Sequence, residues 1–152
     1  MKPRFNLALA AEAYRAIAGL EAYLKKSGLG HGLLHLVKLR ASQVNGCAYC
    51  IDMHWKDARA AGETEQRLYG LDAWREAPYY TDRERAALAW TEAVTRLNDG
   101  HVPEAAYDAA RSHFGEKELA DLTWAVAAIN SWNRVLIASR APAGTYRVGE
   151  HG

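Results

Sequence analysis

Both cysteines of this 152-residue chain lie in the stretch NGCAYCIDMHW, at residues 45–55, together with one of its six histidines. If the stretch is helical, Cys47 and Cys50 form an i,i+3 pair, and Cys50 and His54 form an i,i+4 pair. Residues at these spacings share one face of a helix, with Cβ atoms about 5–6 Å apart. A disulfide needs Cβ atoms about 3.5–4.5 Å apart, so we expect the first turn to tighten beside Gly46.

The predicted position of the two thiols favours a reactive cysteine. A helix N-terminus, a nearby imidazole and a CxxC context each lower the pKa of a cysteine, and the thiolate is the nucleophile. His54 would accept the proton of Cys50 or stabilise its thiolate. On these residues alone, three interpretations stay open: a redox pair, a metal site, and two structural thiols, since free cysteine is among the most buried residue types.

The composition is typical of a soluble globular protein, with 49% hydrophobic and 24% charged residues. The net charge of +1 predicts no broad basic surface for nucleic acid.

No segment approaches the ~18 apolar residues of a membrane span. Asn6 interrupts the apolar run near the N-terminus, so this run makes a poor signal peptide. We therefore expect a cytoplasmic protein with one domain over residues 1–152. In a reducing compartment a CxxC pair is more often catalytic or metal-binding than structural.

About six to seven helices and no strand are predicted to position the cysteine segment. The pattern of apolar residues and of helix-breaking residues predicts helices at 7–26, 32–43, 47–60, 64–74, 82–97, 103–115 and 117–138. The sequence TDRE at 81–84 fits a capping box. The last helix is apolar on most sides, so we expect it to be central or to lie between subunits. The tail, 140–152, is predicted to be irregular.

The stretch LVKLRASQVNGCAYCIDMHWKDARAAGET, residues 36–64, resembles the core of the AhpD-like alkylhydroperoxidase family, within the carboxymuconolactone decarboxylase superfamily. INSWNR at 129–134 and PAGTYR at 142–147 also resemble members of its redox-type subgroup, which carries CxxCxxxH. The resemblance covers most of the chain. It implies an all-α, AhpD-like helical bundle that assembles as a trimer or a hexamer.

The same resemblance implies the cycle of a thiol peroxidase or disulfide reductase, with an antioxidant role and no bound cofactor. Cys50 matches the thiol that attacks a hydroperoxide, Cys47 the resolving thiol, and His54 the histidine of the motif. The peroxide would oxidise Cys50 to a sulfenic acid, which Cys47 would condense to a disulfide. An external dithiol donor, either a protein or a small thiol, would then reduce the disulfide.

Two positions depart from the family pattern. The family often has a glutamate twelve residues before the first cysteine, as the start of a proton relay, and this chain has His35 there. Some members place a histidine just before the second cysteine, where this chain has Tyr49. We expect His35 to replace the glutamate as a base or donor, beside the alternative of a capped or partly buried histidine. Tyr49 is interpreted as a packing residue.

Other interpretations compete with the redox site. Cys47, Cys50, His54 and His35 together would satisfy the tetrahedral count of a Cys2His2 zinc site. Lactone decarboxylation, the other branch of the superfamily, needs no cysteine pair, and a non-catalytic oligomeric binding or stress protein would retain the motif as a relic.

Asp52 is expected on the outer, solvated face of the cysteine helix. The segment from Asn130 to Arg134 is expected to support the site or an interface without a catalytic role.

Overall fold

The structure is a computed structural model that describes residues 2–150, apart from the side chain of Asp99. This described part is all-helical and has no strand, as the sequence predicts. Its α-helices are α1 (Ala11–Leu24), α2 (His31–Asn45), α3 (Ala48–Ala60), α4 (Glu65–Tyr69), α5 (Asp82–Arg96), α6 (Glu104–Arg111) and α7 (Glu116–Ser139). Three 3₁₀ turns cover Leu7–Ala10, Gly70–Ala73 and Asn98–Gly100.

The predicted helices agree with the observed ones except near a few ends. The chain enters α1 through a 3₁₀ turn, because the Asn6 side chain accepts a hydrogen bond from the Ala8 N–H at 2.9 Å and caps that turn. The predicted helix 64–74 divides into α4 and a second 3₁₀ turn. The capping box before α5 is confirmed, since Thr81 and Glu84 exchange side chain to backbone hydrogen bonds.

The helix at the centre of the fold is α2. Each residue from Leu36 to Ser42 is buried, because α3, α5 and α7 all pack against this helix. On one side Val37 joins a core with residues of α5 and α7, and on another Leu39 joins a second core with Leu68 and Leu71. A helix that is covered on all sides shows little amphipathic pattern, so its central position was not evident from the sequence.

The apolar helix α7 packs on the bundle with one face. Leu122, Val126 and Ile129 are fully buried against the core. Trp124 lies on the opposite face and is 57% exposed, while Ile137, near the C-terminal end of α7, is 45% exposed. Both helices contribute to the core, since α7 packs against α1, α2, α3, α5 and α6 and leaves one face exposed, whereas the middle of α2 is covered on all sides. The alternative expectation, that α7 lies between subunits, stays a prediction.

A buried carboxylate ties α2 to α5. Glu92 is 2% exposed and accepts four hydrogen bonds. Arg40 Nε and Trp74 Nε1 donate to its Oε1 at 2.8 and 2.9 Å, while Arg75 and Arg96 donate to its Oε2 at 2.8 and 3.1 Å. Burial by itself raises the pKa of Glu92, but the hydrogen bonds from Trp74, Arg75 and Arg40 outweigh it and lower the pKa to about 2.

Across residues 2–150, no helix is both long enough and apolar enough to cross a membrane.

Candidate active site

The two cysteines lie at the start of α3, with Cys47 just before the helix and Cys50 in its first turn, and they form a disulfide. Gly46 ends α2 in the left-handed region, with φ of 70°, which glycine adopts without strain. Cys47 is the N-cap of α3, with extended backbone, and its N–H donates to Ser42 O at 3.0 Å. Cys47 lies just outside the regular helix, and its Cα is 5.4 Å from that of Cys50, a separation that is usual for a disulfide. The tightening of the first turn expected beside Gly46 stays a prediction.

The disulfide is buried beneath aromatic and aliphatic side chains. Cys47 and Cys50 are both 0% exposed and lie in an apolar cluster with Ile129 of α7. Trp132 packs against this cluster, and the ring of Tyr14, from α1, meets Trp132 edge-on with centroids 5.3 Å apart. A reactant can therefore reach the sulfur atoms only when some of these covering side chains move.

His54 lies one helical turn beyond Cys50 on α3 and is 7% exposed. Burial lowers its pKa well below 6.5, and the charges of Lys38 and His35 lower it further. Its Nδ1 atom is buried and has no hydrogen-bond partner among the described residues. The imidazole is therefore neutral at neutral pH and retains a free ring nitrogen, as a base for a neighbouring thiol requires.

His35 is brought to the same place from α2. Its ring is half-buried, and its centroid lies 6.5 Å from that of His54. Burial lowers the pKa of His35, the carboxylate of Asp57 raises it, and the nearby charges of Lys38, His31 and Lys25 lower it. The structure thus joins Cys47 to Cys50 and places His35 beside His54, which lies one turn after Cys50 on α3. Their catalytic roles stay predictions.

A buried ion pair, Lys38 with Glu21, lies beside the two imidazoles and was not predicted from the sequence. Lys38 is 8% exposed, lies almost one turn after His35 on α2, and pairs with Glu21 of α1. A buried ammonium needs such a partner, because an unpaired charge in the interior is costly. The cationic Lys38 opposes protonation of both imidazoles. The spacing of Lys38 from His35 was visible in the sequence, but the approach of α1 was not.

Asparagine side chains fix the end of α2 against α7 behind the disulfide. The Asn45 amide donates to Asn130 Oδ1 at 3.0 Å and to Asn133 Oδ1 at 2.8 Å. Asn133 in turn donates to Ser42 Oγ at 3.1 Å, and Asn130 donates to Thr95 Oγ1 at 3.0 Å. The supporting role expected of the segment INSWNR is therefore confirmed for its two asparagines.

The C-terminal segment, residues 142–150, has no helix, as predicted, but it is bound to α3. The Tyr146 hydroxyl donates to Asp57 at 2.8 Å, and Lys56 donates to the Tyr146 carbonyl at 3.1 Å. The Gly144 N–H donates to Asp52 at 3.2 Å. The expectation that Asp52 is solvated was wrong, since its carboxylate is three-quarters buried under this segment and also pairs with Lys56.

Tyr146 and Tyr49 form an edge-on ring pair, with centroids 6.5 Å apart. Tyr49 is half-buried, which agrees with the packing role expected of it. Burial raises the pKa of Tyr146, and its hydrogen bond to Asp57 raises it further. Both phenols are therefore neutral at physiological pH and can act as hydrogen-bond donors.

We expect Tyr146→Phe to lower the free energy of unfolding by about 1–2 kcal/mol, because a half-buried carboxylate loses a hydrogen-bond donor. Urea denaturation at pH 7 measures the loss. Tyr69→Phe is the matched control, since Tyr69 is 72% exposed. Equal stability of the two variants would contradict an anchoring role for the Tyr146 hydroxyl.

The burial of His54 also predicts how stability depends on pH. The unfolded chain binds a proton at His54 below about pH 6.5, whereas the folded protein keeps the imidazole neutral. Folded stability should therefore fall as the pH drops below 6.5, with a slope from this group of up to about 1.4 kcal/mol per pH unit. His54→Phe should flatten that slope between pH 6.5 and 5 in urea denaturation of the oxidised protein.

Within the described residues, no group of three or more His, Cys, Asp or Glu side chains is arranged to hold a metal ion. The four residues of the zinc alternative therefore do not form a ligand set here, where both sulfur atoms are bonded to each other.

Comparison with known proteins places this geometry in a family. Residues 9–93, which include all four site residues, match the profile of the carboxymuconolactone decarboxylase family. The uncharacterized protein YdfG of Bacillus subtilis (strain 168) is 44% identical over 130 residues, which cover 86% of this chain and 88% of YdfG.

Solved structures share the fold. One is a protein of unknown function from Agrobacterium tumefaciens, described as a proposed antioxidant defence protein AhpD. It is 44% identical to this chain, with a TM-score of 0.90, and the match covers 95% of this chain and 100% of that one. The debrominase Bmp8 has a TM-score of 0.82 at 18% identity, over 91% of this chain and 74% of that one, and shows the fold alone. The chain belongs to the carboxymuconolactone decarboxylase family, with an AhpD-like fold.

Proposed function

We propose that this protein is a thiol-dependent peroxidase in which Cys50 attacks a hydroperoxide and Cys47 resolves the product. The observation that carries the proposal is the Cys47–Cys50 disulfide at the start of α3, one turn before the buried, neutral His54. The name of the related Agrobacterium protein supports an antioxidant role.

The proposed cycle begins with the reduced pair. His54 takes the proton of the Cys50 thiol, and the thiolate attacks the distal oxygen of the hydroperoxide, so that the O–O bond breaks. The alkoxide leaves with a proton as an alcohol, and Cys50 becomes a sulfenic acid. The Cys47 thiol then attacks the Cys50 sulfur, which closes the disulfide and releases water. An external dithiol reduces the disulfide by exchange and is itself oxidised.

The test is a single turnover without added donor. The reduced protein is mixed anaerobically with a small excess of hydrogen peroxide or an organic hydroperoxide, and both peroxide and free thiols are counted. The proposal expects one peroxide consumed and two thiols lost per chain. Peroxide left intact, with both thiols retained, would rule out the peroxidase function and favour a non-catalytic binding protein.

The electron donor is tested by turnover. Glutathione, dithiothreitol and a thioredoxin-type protein are offered in turn with catalytic amounts of the oxidised protein. Because the disulfide is buried, we expect dithiols, which complete the exchange within one complex, to support faster turnover than a monothiol. Cytoplasmic localisation belongs to this proposal, since the cycle needs a compartment that supplies reduced dithiols.

We also propose that the chain forms a homo-oligomer. Large apolar side chains are exposed on α7 and near the N-terminus, with Trp124 at 57% and Leu9 at 87% exposure. Aromatic side chains of this kind are enriched at protein interfaces. Sedimentation measurements over a range of concentrations give the mass, and a monomer at all concentrations would contradict the proposal.

A further inference from the structure

A chain of neutral hydrogen-bonding side chains joins the end of α2 to α7 behind Cys47. The Asn45 amide donates to Asn133 Oδ1 at 2.8 Å, and the Asn133 amide donates to Ser42 Oγ at 3.1 Å. The Ser42 hydroxyl donates in turn to the Lys38 carbonyl, one turn earlier on α2, at 2.7 Å. Donors and acceptors alternate along this chain, so only one orientation of the Asn133 side chain satisfies both of its ends.

The same residues hold the backbone at Cys47. Ser42, whose hydroxyl accepts from Asn133, also accepts the Cys47 N–H at its carbonyl oxygen, at 3.0 Å. Asn45 is the last residue of α2, two positions before Cys47. Asn133 is fully buried and lies one turn after Ile129, which packs in the cluster of the two cysteines. The turn that carries Cys47 is therefore tied to α7 through two residues of α2.

The backbone by itself holds the two cysteines differently. Cys50 lies inside α3, where the regular helix determines its main-chain conformation. Cys47 is the N-cap of that helix, and Gly46 precedes it in the left-handed region. A glycine adds conformational freedom to the chain beside it. The position of Cys47 therefore depends on the side chains that hold this turn, whereas the position of Cys50 does not.

We propose that Asn133 and Asn45 are positioning residues for Cys47, which hold its thiol within reach of Cys50 and so set the rate at which the disulfide closes. The inference rests on the proposed function, because it assigns what places the resolving thiol. Both side chains are neutral amides. They hold the turn without a charge, whereas a carboxylate at the same place would oppose formation of a thiolate.

The step that this network serves is the second half of the cycle. The Cys47 thiolate attacks the sulfur of Cys50, the S–O bond of the sulfenic acid breaks, and the hydroxide that leaves takes up a proton to form water. With a mixed disulfide on Cys50 in place of the sulfenic acid, the same attack expels a thiol. Either reaction is faster when Cys47 is held in position beforehand, because the entropy of ordering the turn is already lost.

The first experiment follows closure without peroxide. The reduced protein reacts with excess 2-hydroxyethyl disulfide, so that the Cys50 thiolate forms a mixed disulfide and releases one thiol, and Cys47 then closes the protein disulfide and releases the second. Acid quenching and mass spectrometry count the two protein species against time. In Asn133→Leu and Asn45→Ala we expect the first step to stay within a few fold of the wild type and closure to slow about tenfold or more.

The two variants are chosen to keep the protein folded. Asn133→Leu keeps the volume of the side chain, and both neighbours of Asn133 retain a partner. The Ser42 hydroxyl still donates to the Lys38 carbonyl, and the Asn45 amide still donates to Asn130 Oδ1. Asn45→Ala places a good helix former at a half-buried position. It releases the end of α2 from both asparagines of α7, so closure should slow more in this variant.

Thr123→Val is the matched control for lost stability. The Thr123 hydroxyl accepts a hydrogen bond from Trp90 Nε1 at 3.0 Å and links α7 to α5 beside the other core, which Trp90 joins. This variant should lose stability and still close at the wild-type rate. Wild-type closure in both Asn133→Leu and Asn45→Ala would overturn the proposal. Equal slowing in Thr123→Val would also overturn it, because the effect would then follow stability and not the position of Cys47.

The second experiment measures the equilibrium of the same pair. Each variant is equilibrated anaerobically with reduced and oxidised glutathione, and free thiols are counted after alkylation. The equilibrium constant gives the effective concentration of Cys47 toward Cys50. We expect it to fall about tenfold in Asn45→Ala and to stay unchanged in Thr123→Val. An unchanged constant in Asn45→Ala would contradict the proposal. Because neither readout uses a peroxide, a failed peroxidase assay would count against the proposed function alone.

Discussion

Cys50→Ser is expected to abolish the reaction of the reduced protein with hydroperoxides, with a fall in the second-order rate constant of at least about a thousandfold. A serine hydroxyl stays protonated at neutral pH, whereas a thiol beside a neutral imidazole can lose its proton to that base. Position 50 is fully buried, so the two similar side chains should be accommodated alike. Stopped-flow measurement of peroxide consumption gives the rate constants.

The matched control is Cys47→Ser, which removes the other half of the disulfide. This variant should retain the first step within a few fold and lose turnover, because the sulfenic acid on Cys50 then has no resolving thiol. A sulfenic acid trap such as dimedone should label Cys50 in Cys47→Ser and leave Cys50→Ser unlabelled. The reverse pattern of labelling would show that the two cysteines exchange roles.

The largest effect on stability is expected from Glu92→Gln. This replacement keeps the shape of the side chain but removes the charge that faces Arg40, which is 6% exposed. Breaking a buried ion pair on one side leaves an uncompensated charge, at a cost of about 3–5 kcal/mol. Arg40 also pairs with Asp72, which moderates the loss, so we expect about 3 kcal/mol in urea denaturation at pH 7.

The control for Glu92→Gln is Arg96→Gln, which removes a charge from the same cluster at the surface. Arg96 is 45% exposed and pairs with Glu92 four residues before it on α5. Such exposed pairs contribute about 0.3–0.5 kcal/mol. Equal losses in the two variants would show that Glu92 contributes no more than a surface ion pair.

The same carboxylate should govern acid unfolding. The pKa of Glu92 is lowered from 4.5 to about 2 in the folded protein, so its contribution is fully present above pH 4.5. As the pH falls from 4.5 toward 2, the unfolded chain binds the proton first, and the contribution is lost. The wild type should therefore lose more stability across this window than Glu92→Gln does.

Local patterns predicted the helices well, because the signals that begin and end them lie within a few residues. Thr81 and Glu84 meet across one turn at the start of α5, and their capping box was readable as TDRE. The spacing of Cys47, Cys50 and His54 likewise places them on one face of any helix that includes them. His35 needed one further inference, from the family pattern, and α2 does bring it to the site.

Contacts between segments that are distant in the sequence could not be predicted from local patterns. The pairing of Glu21 with Lys38, of Arg40 with Glu92, and of Tyr146 with Asp57 each joins elements that only the folded chain brings together. No local spacing indicates such a pair. Asp52 illustrates the consequence, since its position on the outer face of α3 predicted a solvated carboxylate, and the C-terminal segment covers it.

The sequence by itself determined that the chain is helical, and the four-residue spacing of Cys50 and His54 placed these two residues on one face of α3, with Cys47 at the start of that helix. Only the tertiary structure decided the environment of that face. It buried the disulfide beneath Trp132, kept His54 neutral by removing it from water, and bound Tyr146 of the C-terminal segment to Asp57 of α3. The physical reason is that burial and long-range charge depend on which elements pack together, and packing is a property of the whole chain.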